Sequence, residues 1–278
     1  MREVAIIGAG ELGGACAHAL ARRDVARAIT IVDEKGRVAA GKALDIAQAA
    51  PVEGFATQLN GVTDISAASG ADVVVIADRF AGGEWQGEDA LALLRRLSQL
   101  AARTIVVCAG AAAREAIERG VGELKWPRQR LFGTAPEALA GGARAMIALA
   151  TDHSPLDVTV SVLGVPPADL VIPWSDATIG GFSAADVLGE PIRRQLDARI
   201  RALWPPGPFA LAAAATKAIA AIAGRSRRDA LSFIAPEQPS RTRAAAMPVQ
   251  LGAGGIVAVR QPILSTVEKV ALDNATAR

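Results

Sequence analysis

The stretch Val4-Ala5-Ile6-Ile7-Gly8-Ala9-Gly10-Glu11-Leu12-Gly13 decides the fold of this chain. Its first four residues form an apolar run that predicts a buried strand, and the residues that follow have the pattern of a helix. Gly8 permits a tight turn, Gly10 lets another group approach the backbone, and Gly13 allows the helix to pack close to the strand. A glycine-rich turn alone is weak evidence. Here a strand runs into the turn and a helix runs out of it, which is the context that the pattern requires.

The same turn is a candidate site for a dinucleotide, because the N–H groups and the positive dipole end of a helix start favour phosphate. A second apolar strand ends in Asp33, about 20 residues after the turn, where a carboxylate accepts hydrogen bonds from the adenosine ribose. A carboxylate there repels a 2′-phosphate, so we expect NAD, although the nearby Arg37 leaves NADP open. A glycine turn without a ligand is the competing interpretation. The candidate cofactor-binding residues are Gly8, Gly10, Glu11, Leu12, Gly13, Asp33 and Ala77.

Short apolar strands alternate with helical stretches along the first half of the chain. The predicted strands cover residues 4–7, 29–33, 73–77, 104–108 and 131–133, and the predicted helices cover residues 10–23, 37–50, 88–102 and 111–120. The strands are continuous Val and Ile runs, which is typical of parallel strands buried on both faces. We therefore predict an α/β fold whose residues 1–140 form a doubly wound parallel sheet, that is, a Rossmann domain.

The second half has a different pattern, with strands and helices that do not alternate regularly. Helices are predicted over residues 138–150, 192–203, 209–223 and 265–275, and strands over residues 157–163, 231–234 and 257–259. We predict a mixed α+β domain over residues 141–278. Since no linker marks the boundary, we expect the two halves to pack tightly.

Composition argues against several classes of partner. The formal net charge is +2 and the basic residues are scattered, so we expect no nucleic-acid partner. No apolar run reaches the roughly 18–20 residues that a membrane span needs. Cys16 and Cys108 lie in apolar surroundings and are expected to be core residues rather than a disulfide. No metal site is expected, and a soluble cytoplasmic protein is the default expectation.

Several further segments resemble the lactate/malate dehydrogenase family, specifically the malate dehydrogenases of the lactate-dehydrogenase-like type. They are Gly-Lys-Ala-Leu-Asp-Ile at residues 41–46, Ala-Pro-Val at 50–52, the strand at 71–76, and residues 247–249 and 251–256, which resemble the family's late hairpin. The resemblance implies an oxidoreductase of 2-hydroxy acids that uses NAD. It also implies a homo-oligomer, either a dimer or a tetramer, which apolar helices around residues 15–20 and 210–223 would suit.

The chain departs from this family at the positions that carry its chemistry. The resemblance implies a catalytic histidine, an aspartate that orients it, an asparagine, and arginines that bind a carboxylate. Gly82 and Glu88 stand where two arginines are expected, in a mobile loop after the third strand. Ala109-Gly110 replaces an asparagine-proline pair. Leu139 and Gly142 occupy the places of the paired aspartate and arginine, and residues 164–169 contain no histidine.

Five residues are considered as replacements for the lost groups, and His18, Arg79 and Arg144 have a structural interpretation as well. His18 is expected to be a core residue of the first helix. His153 precedes the strand at 157–163, whereas the catalytic turn follows it. Ten residues at about 3.3 Å each separate the two places by about 30 Å if the strand is straight. Arg79 and Arg144 are candidate anion contacts, and Asp169 is a candidate base if burial raises its pKa.

Two functions remain open from the sequence, so whether the chain is an active enzyme stays undecided. One is an NAD-binding family member that has lost ordinary 2-hydroxy-acid dehydrogenase activity and acts as a regulatory or partner-binding protein. The other is an active oxidoreductase on a less anionic substrate that uses residues such as Arg79, Asp169 or Glu88. We predict a mostly apolar pocket at the nicotinamide position. A histidine–carboxylate pair there would refute the loss of catalysis.

Overall fold

The structure is a computed structural model that describes residues 1–101, 103–227, 229–237 and 242–277. Strands and helices alternate in its first half. The elements are β1 (Glu3–Ile7), α1 (Glu11–Ala21), β2 (Ala28–Val32), α2 (Gly36–Glu53), β3 (Gln58–Val62), β4 (Val73–Ile76), β5 (Asp78–Arg79), β6 (Gly83–Glu84), α3 (Gly87–Leu100), β7 (Ile105–Cys108), α4 (Arg114–Gly122) and β8 (Leu131–Gly133).

The second half begins with a long helix and continues with short strands and further helices. The elements are α5 (Ala135–Thr151), β9 (Val158–Thr159), β10 (Leu163–Val165), β11 (Asp169–Val171), β12 (Thr178–Ile179), β13 (Phe182–Ser183), α6 (Ala184–Val187), α7 (Glu190–Arg201), α8 (Pro208–Ile222), β14 (Asp229–Ile234), β15 (Ala245–Gly252), β16 (Gly255–Val259) and α9 (Thr266–Thr276). Within the described residues, no helix is long and apolar enough to cross a membrane.

Six strands of the first half form a parallel sheet in the order β3-β2-β1-β4-β7-β8. The order reverses between β1 and β4, and ligands of open α/β sheets bind outside the carboxyl ends of the strands at such a point. Residues 4–7 of β1 and all of β4 are buried, which explains their apolar runs. The predicted doubly wound α/β fold is therefore confirmed.

Antiparallel strands of the second half extend this sheet. β14 pairs with β8 where Phe233 lies opposite Gly133, and β15, β10 and β11 follow in that order, with β16 on β15. The described residues thus place eleven strands in one sheet. The apolar pattern alone did not predict β15, because alanine is depleted in strands and Pro248 interrupts the pattern. The resemblance at residues 247–256 does imply the hairpin that β15 and β16 form. The apolar pattern also missed β3, whose partly exposed residues form no apolar run.

The single straight strand predicted over residues 157–163 is wrong. Val158–Thr159 pairs with β12 in a small separate sheet, whereas Leu163–Val165 pairs with β11 and β15 in the large sheet. The chain changes sheets between these two pairs, so the distance of about 30 Å that assumed a straight strand does not apply.

Two clusters of buried apolar residues form the core. The larger joins the parallel sheet to α1, α8 and β15, and the smaller joins α5 to β10, β11 and α7. Trp204 and Met247 pack against both clusters, and the Trp204 ring meets Phe233 edge-on with centroids 5.9 Å apart. The division of the chain near residue 140 stays a prediction.

Candidate functional site

The glycine-rich turn joins β1 to α1 as the sequence predicts. Gly8 has a φ of +114°, and its N–H donates to the carbonyl of Val32 at 2.7 Å. A Cβ atom on Gly13 would lie 2.0 Å from the carbonyl oxygen of Gly8. Lys42 on α2 donates from Nζ to the carbonyl of Gly10 at 2.8 Å. The turn is therefore held tightly, and its conformation depends on the absence of side chains.

The other candidate cofactor residues lie around the same turn. Leu12 and Ala77 are buried, and Glu11 is exposed at the first position of α1. Arg37, the residue that left NADP open, lies on the exposed side of the first turn of α2. These positions border the crevice at the carboxyl ends of β1 and β4, and their contact with a cofactor stays a prediction.

Asp33 is buried and accepts three backbone hydrogen bonds. Its Oδ2 accepts from the N–H of Ala9 at 2.8 Å and of Phe80 at 3.0 Å, and its Oδ1 accepts from the N–H of Lys35 at 3.0 Å. A carboxylate can accept about four hydrogen bonds, so Oδ1 retains capacity for a ribose hydroxyl. Its expected role at the ribose stays a prediction, and the structure adds a second role in tying residue 80 to the turn.

The loop after β4 forms a short two-stranded hairpin over residues 78–86, here called the 78–86 hairpin. β5 and β6 pair antiparallel, with Asp78 opposite Glu84 and Arg79 opposite Gly83. Ala81 at its tip has a φ of +58°. The resemblance implies a mobile loop here, whereas the structure folds these residues against the crevice.

Asp78 reaches directly into the glycine-rich turn. Its Oδ1 accepts the N–H of Gly13 at 2.9 Å, and its backbone carbonyl accepts the N–H of Gly10 at the same distance. A Cβ atom on Gly10 would lie 2.3 Å from the carboxylate. The open side of Gly10, through which a phosphate approaches such a turn, is therefore filled by a carboxylate of the chain itself.

Glu84 makes a similar contact with the 3-10 turn Ala111–Ala113, which directly precedes α4. Its carboxylate oxygens accept the N–H groups of Ala111 at 3.0 Å and of Ala112 at 2.7 Å. A Cβ atom on Gly110 would lie 2.3 Å from Oε2 of the same side chain. Ala109 and Gly110 stand where the resemblance implies an asparagine-proline pair, so the Glu84 carboxylate lies beside the position of that pair.

Arg79 secures the other face of the hairpin. Its guanidinium contacts Asp89 on α3 at 3.2 Å and lies 4.5 Å from the centre of the Trp85 ring. A cavity of about 580 Å³ remains beside the hairpin, bordered by Asp33, Thr63 and α3. This cavity lies on the side of the crevice where the adenosine half of a dinucleotide is expected.

The positions of the paired aspartate and arginine are apolar and closely packed. Leu139 is 1% exposed and belongs to the smaller core cluster. A Cβ atom on Gly142 would lie 2.8 Å from a methyl group of Leu203. The fold therefore leaves no room for a longer side chain at residue 142 unless Leu203 moves.

The charged candidates on the substrate side are paired with residues outside the crevice. Arg144 contacts Glu137 at 3.0 Å, and Arg119 contacts Glu88 at 2.8 Å. Asp169 is bound by the guanidinium of Arg243 at 2.5 Å. Each of these contacts satisfies a charge within the protein, in agreement with the structural interpretation of Arg144.

Neither histidine lies near the crevice. His18 is not a core residue as expected: its side chain is 40% exposed and contacts Glu53 on α2 at 3.0 Å. This pair belongs to the outer surface of α1 and α2. His153 is exposed, its Nδ1 lies 2.6 Å from the carbonyl of Thr151, and its ring lies beside Gly180. In the described part of the chain, no group of three His, Cys, Asp or Glu side chains is arranged to hold a metal.

A buried ionic cluster at the start of α5 was missed by the sequence reasoning. Glu137 is 5% exposed and accepts from Lys217 on α8 at 2.6 Å, from Arg144 at 3.0 Å, and from the N–H of Leu231 at 2.9 Å. Lys217 is the one charged residue in the sequence of α8. A lone charge in an otherwise apolar helix is the signal that could have indicated a buried partner.

The two cysteines are buried beside the hairpin carboxylates. Burial raises the pKa of the Cys16 thiol to about 12, and the negative charge of Asp78 adds to this shift. Burial likewise raises the pKa of Cys108 to about 12, with Glu84 as the second cause. Both thiols are therefore protonated at neutral pH, and their expected place in the core is confirmed.

Comparison with known proteins finds relatives that match this chain along its length. Residues 2–100 match the family described as lactate/malate dehydrogenase, NAD binding domain. A malate dehydrogenase of Thioalkalivibrio sulfidiphilus (strain HL-EbGR7) is 30% identical over an alignment of 297 positions, gaps included, which covers 100% of this chain and 97% of the relative. A malate dehydrogenase of Desulforudis audaxviator (strain MP104C) is 29% identical, with 99% and 95% covered.

Solved structures show the same fold. A malate dehydrogenase from Salinibacter ruber matches with a TM-score of 0.87 and 24% identity, over 98% of this chain and 93% of that one. A lactate dehydrogenase from Cryptosporidium parvum, complexed with lactic acid and nicotinamide adenine dinucleotide, matches with a TM-score of 0.88 and 20% identity, over 99% and 94%.

Proposed function

Because the chain belongs to the lactate/malate dehydrogenase family, we propose that it binds NAD(H) at the 8–13 turn without turning over lactate or malate at ordinary enzyme rates. It is an oxidoreductase by family, and NAD is the cofactor of its N-terminal domain. The proposal concerns what the rest of the chain does with that cofactor.

The residues of the turn fit a dinucleotide. Gly8, Gly10 and Gly13 have no side chains to fill the space at the start of α1, which Asp78 now contacts, and there the N–H groups and the helix dipole favour a pyrophosphate. When bound, NAD supplies a hydride acceptor. The Asp78 carboxylate accepts the N–H of Gly13. A phosphate can therefore bind there only after the Asp78 side chain has moved away from the turn.

The single observation that carries the loss of turnover is the packing of Leu139 and Gly142. In the family pattern these positions hold the aspartate that orients a histidine and an arginine that binds the substrate. Here Leu139 is buried among apolar residues and Gly142 lies against Leu203. General acid–base catalysis contributes about 10²–10⁴ in rate, and bidentate positioning of the substrate adds to it, so losing both removes most turnover.

The groups that would serve an altered dehydrogenase are engaged elsewhere. Arg79 is held by Asp89 and the Trp85 ring, and Asp169 is held by Arg243. An active enzyme on a less anionic substrate would have to release one of these side chains first. The contacts therefore favour a nucleotide-responsive regulatory or partner-binding protein over that alternative.

A homo-oligomer, dimer or tetramer, is part of the same proposal. The large side chain of Phe209 is 77% exposed at the start of α8 and lines a surface depression with Ala15 and Ala19 of α1. Exposed apolar side chains of this kind suit a contact between copies. Light scattering coupled to gel filtration, with and without NADH, measures the assembly. A monomer under both conditions would contradict this part of the proposal.

The experiment for the proposed function has two arms. Titration with NADH, followed by its fluorescence, is expected to show saturable binding. A panel of lactate, malate, 2-oxo acids, aldehydes and ketones is expected to give no oxidation or reduction of the cofactor. Any substrate turned over at about 1 s⁻¹ or faster, within the ordinary range of enzymes, would end the proposal of lost activity.

A further inference from the structure

The 78–86 hairpin directs two negative charges into one crevice, one toward the start of α1 and one toward the 3-10 turn that precedes α4. Asp78 and Glu84 lie opposite each other on β5 and β6, so their side chains share one face of the hairpin. Like charges in such a pair destabilise it. Each carboxylate has its own donors here, the N–H of Gly13 for Asp78 and those of Ala111 and Ala112 for Glu84. The crevice, rather than the hairpin itself, thus stabilises this arrangement.

The place of Asp78 is the place that a dinucleotide needs. β1 and β4 meet where the strand order reverses, and the hairpin begins directly after β4. A pyrophosphate binds such a crevice on the N–H groups at the helix start, close to the second glycine of the turn. Asp78 accepts the Gly13 N–H and fills the open side of Gly10. A phosphate and this carboxylate cannot share that space.

We propose that the 78–86 hairpin is an internal competitor of the cofactor, in which Asp78 and Glu84 take the positions of ligand anions. This inference rests on the proposed function, because it concerns regulation of the same site. NAD(H) binds only after the hairpin has moved out of the crevice, so its apparent affinity equals the intrinsic affinity reduced by the open fraction. Since one hairpin carries both carboxylates, a single movement exposes the N–H groups of Gly13, Ala111 and Ala112 together.

Contacts with Asp33 and α3 hold the hairpin in place, and a glycine at its end provides a hinge. The Asp33 carboxylate accepts the N–H of Phe80, and Asp89 on α3 contacts Arg79. Gly87, at the junction with α3, has a φ of +53° and no atom within 4 Å of a Cβ position. Residue 87 therefore has the conformational freedom and the space that a hinge requires.

The first arm of the test measures docking without any ligand. Hydrogen exchange is followed at the Gly13, Ala111 and Ala112 amides in the wild type and in D78A/E84A. We expect these amides to exchange at least tenfold faster in the variant, because their acceptors are gone. D186A/E190A serves as the control, because it removes one aspartate and one glutamate at remote exposed positions on α6 and α7.

The second arm measures competition. The dissociation constant for NADH is expected to be lower for D78A/E84A than for the wild type by a factor of roughly ten or more. The reason is that each charged hydrogen bond removed competes with the cofactor in the wild type. The control variant is expected to bind as the wild type does. D78N/E84Q keeps the side-chain shapes and removes only the charges. It replaces D78A/E84A if circular dichroism shows that the alanine variant does not fold.

The outcomes separate this inference from the function on which it rests. Equal or weaker NADH binding by the hairpin variants, with the wild type binding well, would overturn the competition and leave the proposed function intact. Unchanged exchange at the three amides would overturn the docking. Failure of every protein to bind NADH would overturn the proposed function and the competition together, while the exchange experiment still decides whether the hairpin docks.

Discussion

The carboxylate of Asp78 lies 2.3 Å from the point that a Cβ atom on Gly10 would occupy. The backbone at residue 10 has a φ of −70°, which any residue adopts, so the contact with Asp78 is the main obstacle to a side chain there. Residue 10 and residue 78 are therefore coupled, and a double-mutant cycle measures that coupling.

Gly10→Ala is expected to destabilise the protein by roughly 1–3 kcal/mol, because the added methyl group displaces the Asp78 carboxylate from its donor. The same substitution in a D78A background is expected to cost much less. Urea unfolding of the wild type, the two single variants and the double variant checks this. Additive costs would show that Gly10→Ala acts through something other than Asp78.

Removing the buried carboxylate of Glu137 is expected to destabilise the protein strongly. Glu137→Ala leaves the Lys217 ammonium and the Leu231 N–H without their acceptor. Breaking one partner of a buried ion pair typically costs about 3–5 kcal/mol, and partial exposure of the Lys217 side chain places the expected value at the lower end. The free energy of unfolding in urea gives the measurement.

The matched control for Glu137 is Glu190→Ala. Glu190 also pairs with an arginine, Arg194, but on the exposed surface of α7. Exposed pairs contribute about 0–1 kcal/mol. A cost for Glu137→Ala as small as that of the control would mean that the cluster contributes little to stability.

The two thiols are expected to be inert in the folded protein. Burial raises the pKa of both Cys16 and Cys108 to about 12, so neither forms the reactive thiolate at pH 8. A chromogenic disulfide reagent at pH 8 is expected to detect no thiol in the native protein and two in denaturant. Rapid modification of either cysteine under native conditions would show that the crevice opens readily around it.

The Asp24 carboxylate makes the stability of the folded protein depend on pH. Its Oδ1 accepts the N–H of Ala56 and both the N–H and the hydroxyl of Thr57. The Ala56 N–H is the largest cause that holds the pKa of this carboxyl below its usual 3.8, with the Thr57 hydroxyl as a further cause. The Asp24 carboxylate thus binds a proton more weakly in the folded state than in the unfolded state. Its contribution to folding stability is therefore present above pH 3.8 and is lost as the pH falls through the lowered pKa.

The measurement compares melting temperatures of wild type and Asp24→Asn across pH 2–7. Asparagine also tolerates the positive φ of 45° at this position, so the substitution mainly removes the charge. The wild type is expected to melt higher at neutral pH, and the difference is expected to close as the pH falls below 3.8. D186N, which removes an exposed acid, serves as control. A difference that stays constant over the whole range would contradict the assignment.

The parts of the fold that the sequence predicted share one physical cause. β1 and β4 are buried on both faces, and such strands consist of Val and Ile with little else. The glycine-rich turn was equally recognisable, because Gly8 and Gly13 meet a steric requirement within six residues of chain. These signals are local, so a sequence read in short windows contains them.

What the sequence did not predict depends on residues that are far apart along the chain. Asp78 and Gly13 are 65 positions apart, and Glu137 and Lys217 are 80 apart. No periodicity links such pairs, and each acid on its own has the pattern of a solvated loop or helix start. Their roles follow only from where the fold brings the donors.

The pairing of Phe233 with Gly133 has a consequence for folding. This contact joins β8 to β14, so hydrogen bonds run without interruption from the nucleotide-binding strands into the antiparallel ones. A chain cut after α5 would leave β8 and β14 each with an unpaired edge of N–H and C=O groups. Exposed edges of this kind template aggregation. The two halves are therefore expected to require synthesis as one polypeptide and to unfold in a single cooperative transition.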